Sequence, residues 1–171
     1  MNKDAFLEIR KSAVSRNGVF TLKGIKKGEQ ICFMTGKVCT LDEMIKNVDS
    51  GKEGSADPLQ IGDKKYLDID ELPRSFNHSC NPNAFIRGKN ELVALKNIRA
   101  GEEIFFDYST TMNDYEKRIV ETGGALWTCK CHCGAKKCRG IIDQFKTLPE
   151  SVQNFYIKNK FAPDFILKKF R

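Results

Sequence analysis

Four of the chain's seven cysteines fall within ten residues, Cys129 to Cys138, in the segment WTCKCHCGAKKCRG. A stretch this short and this polar cannot bury a core of its own, so it must be held by a cross-link or a metal ion. Cys131-x-Cys133-x4-Cys138 brings three thiolates within reach of one ion, and Gly134 permits the reversal between them. A closed tetrahedral zinc site needs four ligands. Cys129 can supply the fourth, or a distant cysteine can enter, with Cys80 the obvious candidate. In a reducing compartment such crowding points to metal ligation over a disulfide framework, and an odd total of seven fits that reading. Cys32 and Cys39 lie in apolar, strand-like runs and are expected to be packing residues.

The length of 171 residues and a hydrophobic content of 40% are those of one globular domain with a small appendage, not of a disordered chain. No apolar run is long enough to span a bilayer, and the opening MNKDAFLEIRKSAV lacks the apolar core of a signal peptide. The expected location is a reducing, intracellular one: nucleus or chromatin in a eukaryote, cytoplasm or export as an effector in a bacterium. Charge is unevenly placed. Residues 1–128 balance 19 basic against 19 acidic side chains, so the whole net charge of +7 resides in residues 129–171. Such a tail suits solubility first and weak nucleic-acid contact second.

Short strands dominate the pattern. GVFTLKGI, a Lys26-Lys27-Gly28 turn and EQICFMTGKVC are rich in β-favouring residues. In TLDEMIKNV, Thr40 is placed to cap a helix whose Leu41, Met44, Ile45 and Val48 recur at helical spacing. DSGKEGSADP reads as a loop, and LQIGDKKYLDI as a hairpin through Gly62-Asp63. AFIRGKNELVALKNIRAGEEIFFDY reads as three strands with turns at Gly88-Lys89-Asn90 and Ala100-Gly101. NDYEKRIVETGG predicts a helix closed by Gly123. The end predicts a helix starting near Pro149-Glu150 and a shorter one after Pro163. The fold class expected is mainly β with short helices (α+β).

The stretch RSFNHSCNPNA joins Asn77, His78, Ser79 and Cys80, a combination an ordinary polar turn does not require. It resembles the R-x-x-N-H-S-C-x-P-N signature of SET-domain protein-lysine methyltransferases. GEEIFFDY resembles that family's G-E-E-L-x-F-D-Y, CHCGAKKCRG its post-SET C-x-C-x4-C-R-G zinc motif, and SRNGVFTLKGIKKGEQI its opening strand. The order and separation match as far as about Ile142, and the last thirty residues lie outside. The sequence departs at FMTGK, where Met34 stands in place of a common pocket tyrosine, and the Gly-Asn usually ahead of R-x-x-N-H-S-C is absent.

The resemblance implies a SET fold of several small sheets with a threaded C-terminal segment, plus a C-terminal helical tail. Its divisions are a SET domain over residues 1–125, a post-SET zinc-binding segment over 126–142 and a basic helical tail over 143–171. It implies an S-adenosylmethionine-dependent protein-lysine N-methyltransferase acting on a histone or another basic protein. Tyr108 is then the catalytic tyrosine, and Phe106 occupies the position that tunes methyl number. Arg16, Asn17, Gly18, Asn77, His78, Tyr108 and Trp127 are expected at S-adenosyl-L-methionine: Arg16 on its carboxylate, Gly18 allowing backbone approach, Trp127 as an aromatic lid. Zn2+ is expected on Cys80, Cys131, Cys133 and Cys138, with Cys129 left out. Tyr66 is expected to be structural, and Asp107 to satisfy buried backbone groups. Two alternatives carry different functions: a catalytically weak, SET-like zinc-binding interaction module, favoured by Met34, and a zinc-knuckle nucleic-acid binder using the basic tail.

Overall fold

Alternating apolar and polar residues separated by glycine turns produce strands of two to five residues, too short for one large sheet. The computed structural model describes residues 5–51, 58–113 and 128–171, and among these the strands form five small sheets. β1 (Leu7–Lys11) pairs antiparallel with β2 (Asn17–Thr21). β3 (Gln30–Phe33) is followed by β4 (Gly36–Thr40) and helix α1 (Leu41–Asp49). β5 (Leu59–Gly62) and β6 (Lys65–Ile69) form the expected hairpin, and β4 adds to it in the order β4-β6-β5. A short helix α2 (Glu71–Arg74) leads into β7 (Asn77–His78). β8 (Ala84–Arg87) and β9 (Glu91–Ala94) complete a second three-stranded sheet, β3-β9-β8. β10 (Phe105–Phe106) runs parallel to β7. β11 (Cys129–Lys130) and β12 (Ile141–Ile142) enclose the cysteine loop. Helices α3 (Glu150–Asn159) and α4 (Asp164–Lys169) end the chain.

Thr40 caps α1 as its sequence predicts, and does so reciprocally. The Glu43 amide donates to Thr40 Oγ1 at 3.3 Å while the Thr40 amide donates to Glu43 Oε2 at 2.8 Å. Two orphan amides are satisfied by one pair of side chains. Leu41 and Met44 then face inward against Tyr66 and Met112. Pro73 sits in the first turn of α2, where a missing N–H costs no helical hydrogen bond.

Two sequence expectations change. The run EQICFMTGKVC divides at Met34-Thr35 into β3 and β4, which belong to different sheets. Gly36 makes the division feasible: a Cβ there would collide with the carbonyl oxygen of Asp68 on the neighbouring strand. The N-terminal segment, in which the pattern gave no strand, supplies β1. The expected helix over NDYEKRIVETGG lies outside the described residues from position 114, as does most of the DSGKEGSADP loop.

The core is split into three clusters. The largest surrounds Val19, Ile31, Met34, Phe76, Ile86, Leu92, Ile104 and Phe106. A second joins Tyr66, Met44 and Met112 to the cysteine loop through Cys131 and Ile142. The third belongs to the C-terminal helices and holds Phe145, Tyr156, Ile166 and Leu167. These helices follow the predicted boundaries, and they dock on the strand body. The Phe161 ring lies 4.7 Å from that of Phe85, and the Asp164 amide donates to Gly88 O at 2.8 Å. The tail's charge is carried outward on exposed Lys158, Lys160, Lys168 and Arg171. Among the described residues no helix is long and apolar enough to cross a membrane. Gly36→Ala should lower unfolding stability by roughly 2 kcal/mol or more, since its β-carbon has no space against Asp68. Urea denaturation measures this, and an unchanged midpoint would show that β4 and β6 can separate at little cost.

Candidate active site and metal centre

The site is built on a sheet of two strands, each two residues long. β7 and β10 pair in parallel with Asn77 beside Phe105 and His78 beside Phe106. A two-residue ladder is weak, so side chains reinforce it. Asn83 accepts from the Phe105 amide at 2.7 Å and donates to Glu103 O at 2.8 Å, while the Ser79 amide donates to Phe106 O at 3.2 Å. The chain leaving β10 turns at Asp107 into a 3₁₀ turn, Tyr108–Thr111. There the Tyr108 amide donates to His78 Nδ1 at 3.2 Å. The NHSC and FFDY motifs, some thirty residues apart in sequence, are thereby placed side by side.

Tyr108 stands between two cavities. Its ring lies 4.8 Å from Phe106 and 5.5 Å from His78, and its hydroxyl donates to Phe76 O at 2.6 Å. On one side is a space of about 300 Å³ lined by Val14, Ser15, Asn77, His78, Lys130 and His132. On the other is a narrow space of about 20 Å³ lined mostly by apolar side chains, among them Ile69, Pro73, Phe76, Phe106 and Met112. Tyr108 and Arg74 border both. Arg74 is held by Ile69 O at 2.7 Å and Asp68 Oδ1 at 3.0 Å. The phenol's proton is committed to the Phe76 carbonyl.

Asn77, His78, Tyr108 and Phe106 converge as the sequence suggests. Arg16 and Asn17 are exposed, and Val14 and Ser15 line the larger cavity in their stead. Gly18 is buried against protein: a Cβ there would strike the Glu103 carboxylate and approach Asn77 Nδ2 to 3.0 Å. Glu103 is a residue sequence reasoning missed. Its Oε1 accepts from Asn77 Nδ2 at 2.8 Å and its Oε2 from Ser12 Oγ at 2.9 Å, while Asn77 Nδ2 also donates to Asn17 O at 2.7 Å. The only hint lay in the GEE of a motif read for its strand and its tyrosine. Trp127 lies outside the described residues. Met34 is fully buried in the main core and borders neither cavity, and Tyr66 is fully buried against the cysteine loop.

Asp107 does more than cap the 3₁₀ turn through the Ser109 amide at 3.2 Å. Its Oδ1 also accepts from Arg139 Nη2 at 2.6 Å, and its Oδ2 from the Tyr156 hydroxyl at 3.0 Å. Burial raises the Tyr156 pKa and the Asp107 charge raises it further, so the phenol is a donor throughout the working range. Burial pushes His78 down to about 4 despite the nearby Asp107 carboxylate, with the Arg139 cation adding to the fall. His78 is therefore neutral at physiological pH.

None of the seven cysteines is in a disulfide. Cys80 and Cys131 have sulfurs 3.7 Å apart, too far for a bond, and ligand atoms of His78, Cys80, Cys131 and Cys133 all lie within 4.8 Å of one another. Backbone amides are aimed at the sulfurs: Cys80 N at Cys133 (3.4 Å), Arg139 N at Cys80 (3.4 Å) and Gly140 N at Cys138 (3.4 Å). Burial works against a Cys133 thiolate, but the amides of Cys80 and Ala135 and the neighbouring thiols outweigh it and bring the group to about 6. Burial pushes Cys80 and Cys131 up, and at Cys80 the Arg139 amide and cation offset this only in part. Amide donors converging on clustered sulfurs suit thiolates bound to zinc.

His78 is poorly placed to be a ligand. Its Nδ1 lone pair takes the Tyr108 amide, so its neutral ring carries the proton on Nε2, which faces Cys80 Sγ at 3.3 Å as a donor. Cys138, an expected ligand, is not in that 4.8 Å group; its thiol donates to Cys131 O at 3.8 Å and interacts with the Cys131 and Cys133 thiols. Cys129 is half-buried in the second cluster, and no cysteine among its neighbours shifts its titration.

A family model, the SET domain, matches residues 16–109. This is over half of the chain, which belongs to the SET-domain family. It is similar to human "Histone-lysine N-methyltransferase 2B", 28% identical over 147 residues that cover 79% of this chain and 5% of that protein. It also resembles "Histone-lysine N-methyltransferase SUV39H2" of Xenopus tropicalis, 29% identical over 150 residues, covering 74% of this chain and 36% of the relative. The chain thus spans well under half the length of these relatives. Among solved structures it superposes on KRYPTONITE in complex with mCHH DNA, H3(1-15) peptide and SAH with a TM-score of 0.59, at 23% identity over 80% of this chain and 29% of that one. The ctPRC2 structure in an autoinhibited conformation, bound to S-adenosylmethionine, gives 0.58 at 23% identity, covering 69% of this chain and 17% of the other. These likenesses establish the expected fold of small sheets and short helices.

The purified chain should carry about one zinc ion per molecule, lost in Cys138→Ser and retained in Cys129→Ser. Metal analysis by emission spectroscopy reads the stoichiometry. Retention of zinc by Cys138→Ser would reassign the fourth ligand to His78.

Proposed function

We propose that this chain is an S-adenosylmethionine-dependent protein-lysine N-methyltransferase. The observation that carries the reading is the meeting of a wide polar cavity and a narrow, mostly apolar one at the Tyr108 side chain. Methyl transfer to an amine is a displacement along one line, so donor and acceptor must approach the same carbon from opposite sides with water excluded. The wide cavity has the size and polar lining for a nucleoside bearing an amino-acid tail. The narrow one suits an extended aliphatic side chain ending in an amine. S-adenosylmethionine, when bound, supplies an electrophilic methyl group on a cationic sulfur; the rest falls to the protein.

Asn77, oriented by Glu103, and the backbone beside it present polar groups to the wide cavity. Phe76, Phe106 and Met112 desolvate the lysine stem, which favours the neutral amine over the ammonium. Tyr108 accepts hydrogen bonds through its oxygen and fixes the approach. A phenol titrating near 10 is a poor base at neutral pH, so its role is positioning and electrostatics. Phe106 offers no hydroxyl to hold a water beside the amine, which leaves room for further methyl groups. Zinc on Cys80, Cys131, Cys133 and Cys138 would hold the NHSC loop against the C-terminal loop whose Lys130 and His132 border the wide cavity. The substrate proposed is a lysine of a histone or another basic protein, in keeping with the names of the relatives and the histone peptide bound to KRYPTONITE. Met34, the main reason for considering an inactive module, lies away from both cavities.

Labelled-methyl transfer to histones and protein extracts tests the assignment. Tyr108→Phe should lower turnover by more than about a hundredfold while calorimetry still detects cofactor binding. Equal labelling by both proteins would overturn it. Mass spectrometry of the product should show di- or trimethyl-lysine, reduced to monomethyl in Phe106→Tyr. Monomethylation by both would remove Phe106 from control of product number.

A further inference from the structure

The C-terminal helices lie beyond the matched residues 16–109, yet one of their side chains reaches the centre of the site. Tyr156, on α3, is 3% exposed, and its hydroxyl donates to Asp107 Oδ2 at 3.0 Å. The other carboxylate oxygen is occupied from the opposite side by Arg139 at 2.6 Å and lies 3.5 Å from His78 Nδ1. Asp107 immediately precedes Tyr108 and caps the turn that carries it. One carboxylate, 1% exposed, therefore joins three separate pieces of chain: the tyrosine turn, the cysteine loop and the tail. A buried carboxylate keeps one orientation only when both oxygens are bonded, because an unpaired one gains by rotating toward another donor. Serving only the packing of the tail would not require a hydroxyl. The ring already sits among Phe145, Leu148 and Ile166, which phenylalanine would fill equally well.

We infer that Tyr156 is a positioning residue for Tyr108: it locks the second oxygen of Asp107, so the C-terminal helices set the orientation of the catalytic turn. The inference rests on the methyltransferase reading for its kinetic consequence and on geometry alone for its structural one. The test is Tyr156→Phe in the full chain, which deletes one hydroxyl and keeps the ring. Turnover should fall about tenfold, with the KM values for cofactor and peptide within about twofold of the parent, since the binding surfaces are untouched. Hydrogen exchange should accelerate about tenfold at the Ser109 and Thr110 amides, while the amides of α3 keep their protection. In Asp107→Asn the further change Tyr156→Phe should add little to either effect, because the shared carboxylate is already gone. Unchanged exchange at Ser109 and Thr110 overturns the link whether or not the protein transfers methyl groups. Accelerated exchange with unaltered turnover, or a loss confined to thermal stability, overturns the positioning role. Absence of transfer by the parent chain strikes the functional reading instead, and the exchange data still decide the contact.

Discussion

The parallel pairing of Asn77-His78 with Phe105-Phe106 is the constraint on which the rest of the site depends. It is two residues long and could not persist alone, since each ladder bond contributes about 1 kcal/mol net. Its persistence comes from side chains spliced into the ladder. Asn83 closes a ring with Phe105 and Glu103, and His78 takes the amide of Tyr108 across the gap. Every group proposed to act on the methyl donor or the lysine is within a few residues of this pairing. A strand pair this short leaves the backbone free to turn away at once, which exposes Tyr108 to two cavities instead of burying it in a sheet.

The three hydrophobic clusters are joined by polar contacts. Cys80, three residues after Asn77, lies among the sulfurs of the C-terminal loop. Arg139, next to Cys138 in sequence, reaches back to Asp107. Zinc on these thiols would therefore couple metal binding to assembly of the proposed site. Burial disfavours the thiolates of Cys80 and Cys131, so a cation arriving between the loop and the NHSC strand would favour them.

Much of this was legible from residue types. The hairpin of LQIGDKKYLDI, which turns at Asp63-Lys64 one residue later than expected, the reciprocal cap of Thr40 with Glu43 and the helices after Pro149 and Pro163 followed local rules, because turn and cap chemistry acts over three or four residues. The convergence of Asn77, His78, Tyr108 and Phe106 was legible from motif and order. Less legible was the direction of side chains. Arg16 was expected at the cofactor, but the segment that borders the cavity is Val14-Ser15, just before it. Gly18 looked like a site for close ligand approach, and the group that presses on it is the carboxylate of Glu103, eighty-five positions away. The break at Met34-Thr35 was hidden because strand propensity is continuous across it, whereas β4 pairs with a different neighbouring strand, β6.

By itself the sequence determined the inventory: a chain of short strands, a thiol set matched to zinc, a tyrosine at the end of an aromatic strand and a cationic end. These follow from local backbone preference and the chemistry of single side chains, which distance along the chain does not alter. Tertiary structure alone decided which groups share an atom. It set His78 Nε2 toward the Cys80 sulfur at 3.3 Å, because the Tyr108 amide occupies its other nitrogen. It turned the charged tail into a docked helical unit, because Phe161 and Tyr156 find partners on Phe85 and Asp107. Contacts of that kind depend on the mutual orientation of elements far apart in sequence, and no local pattern encodes them.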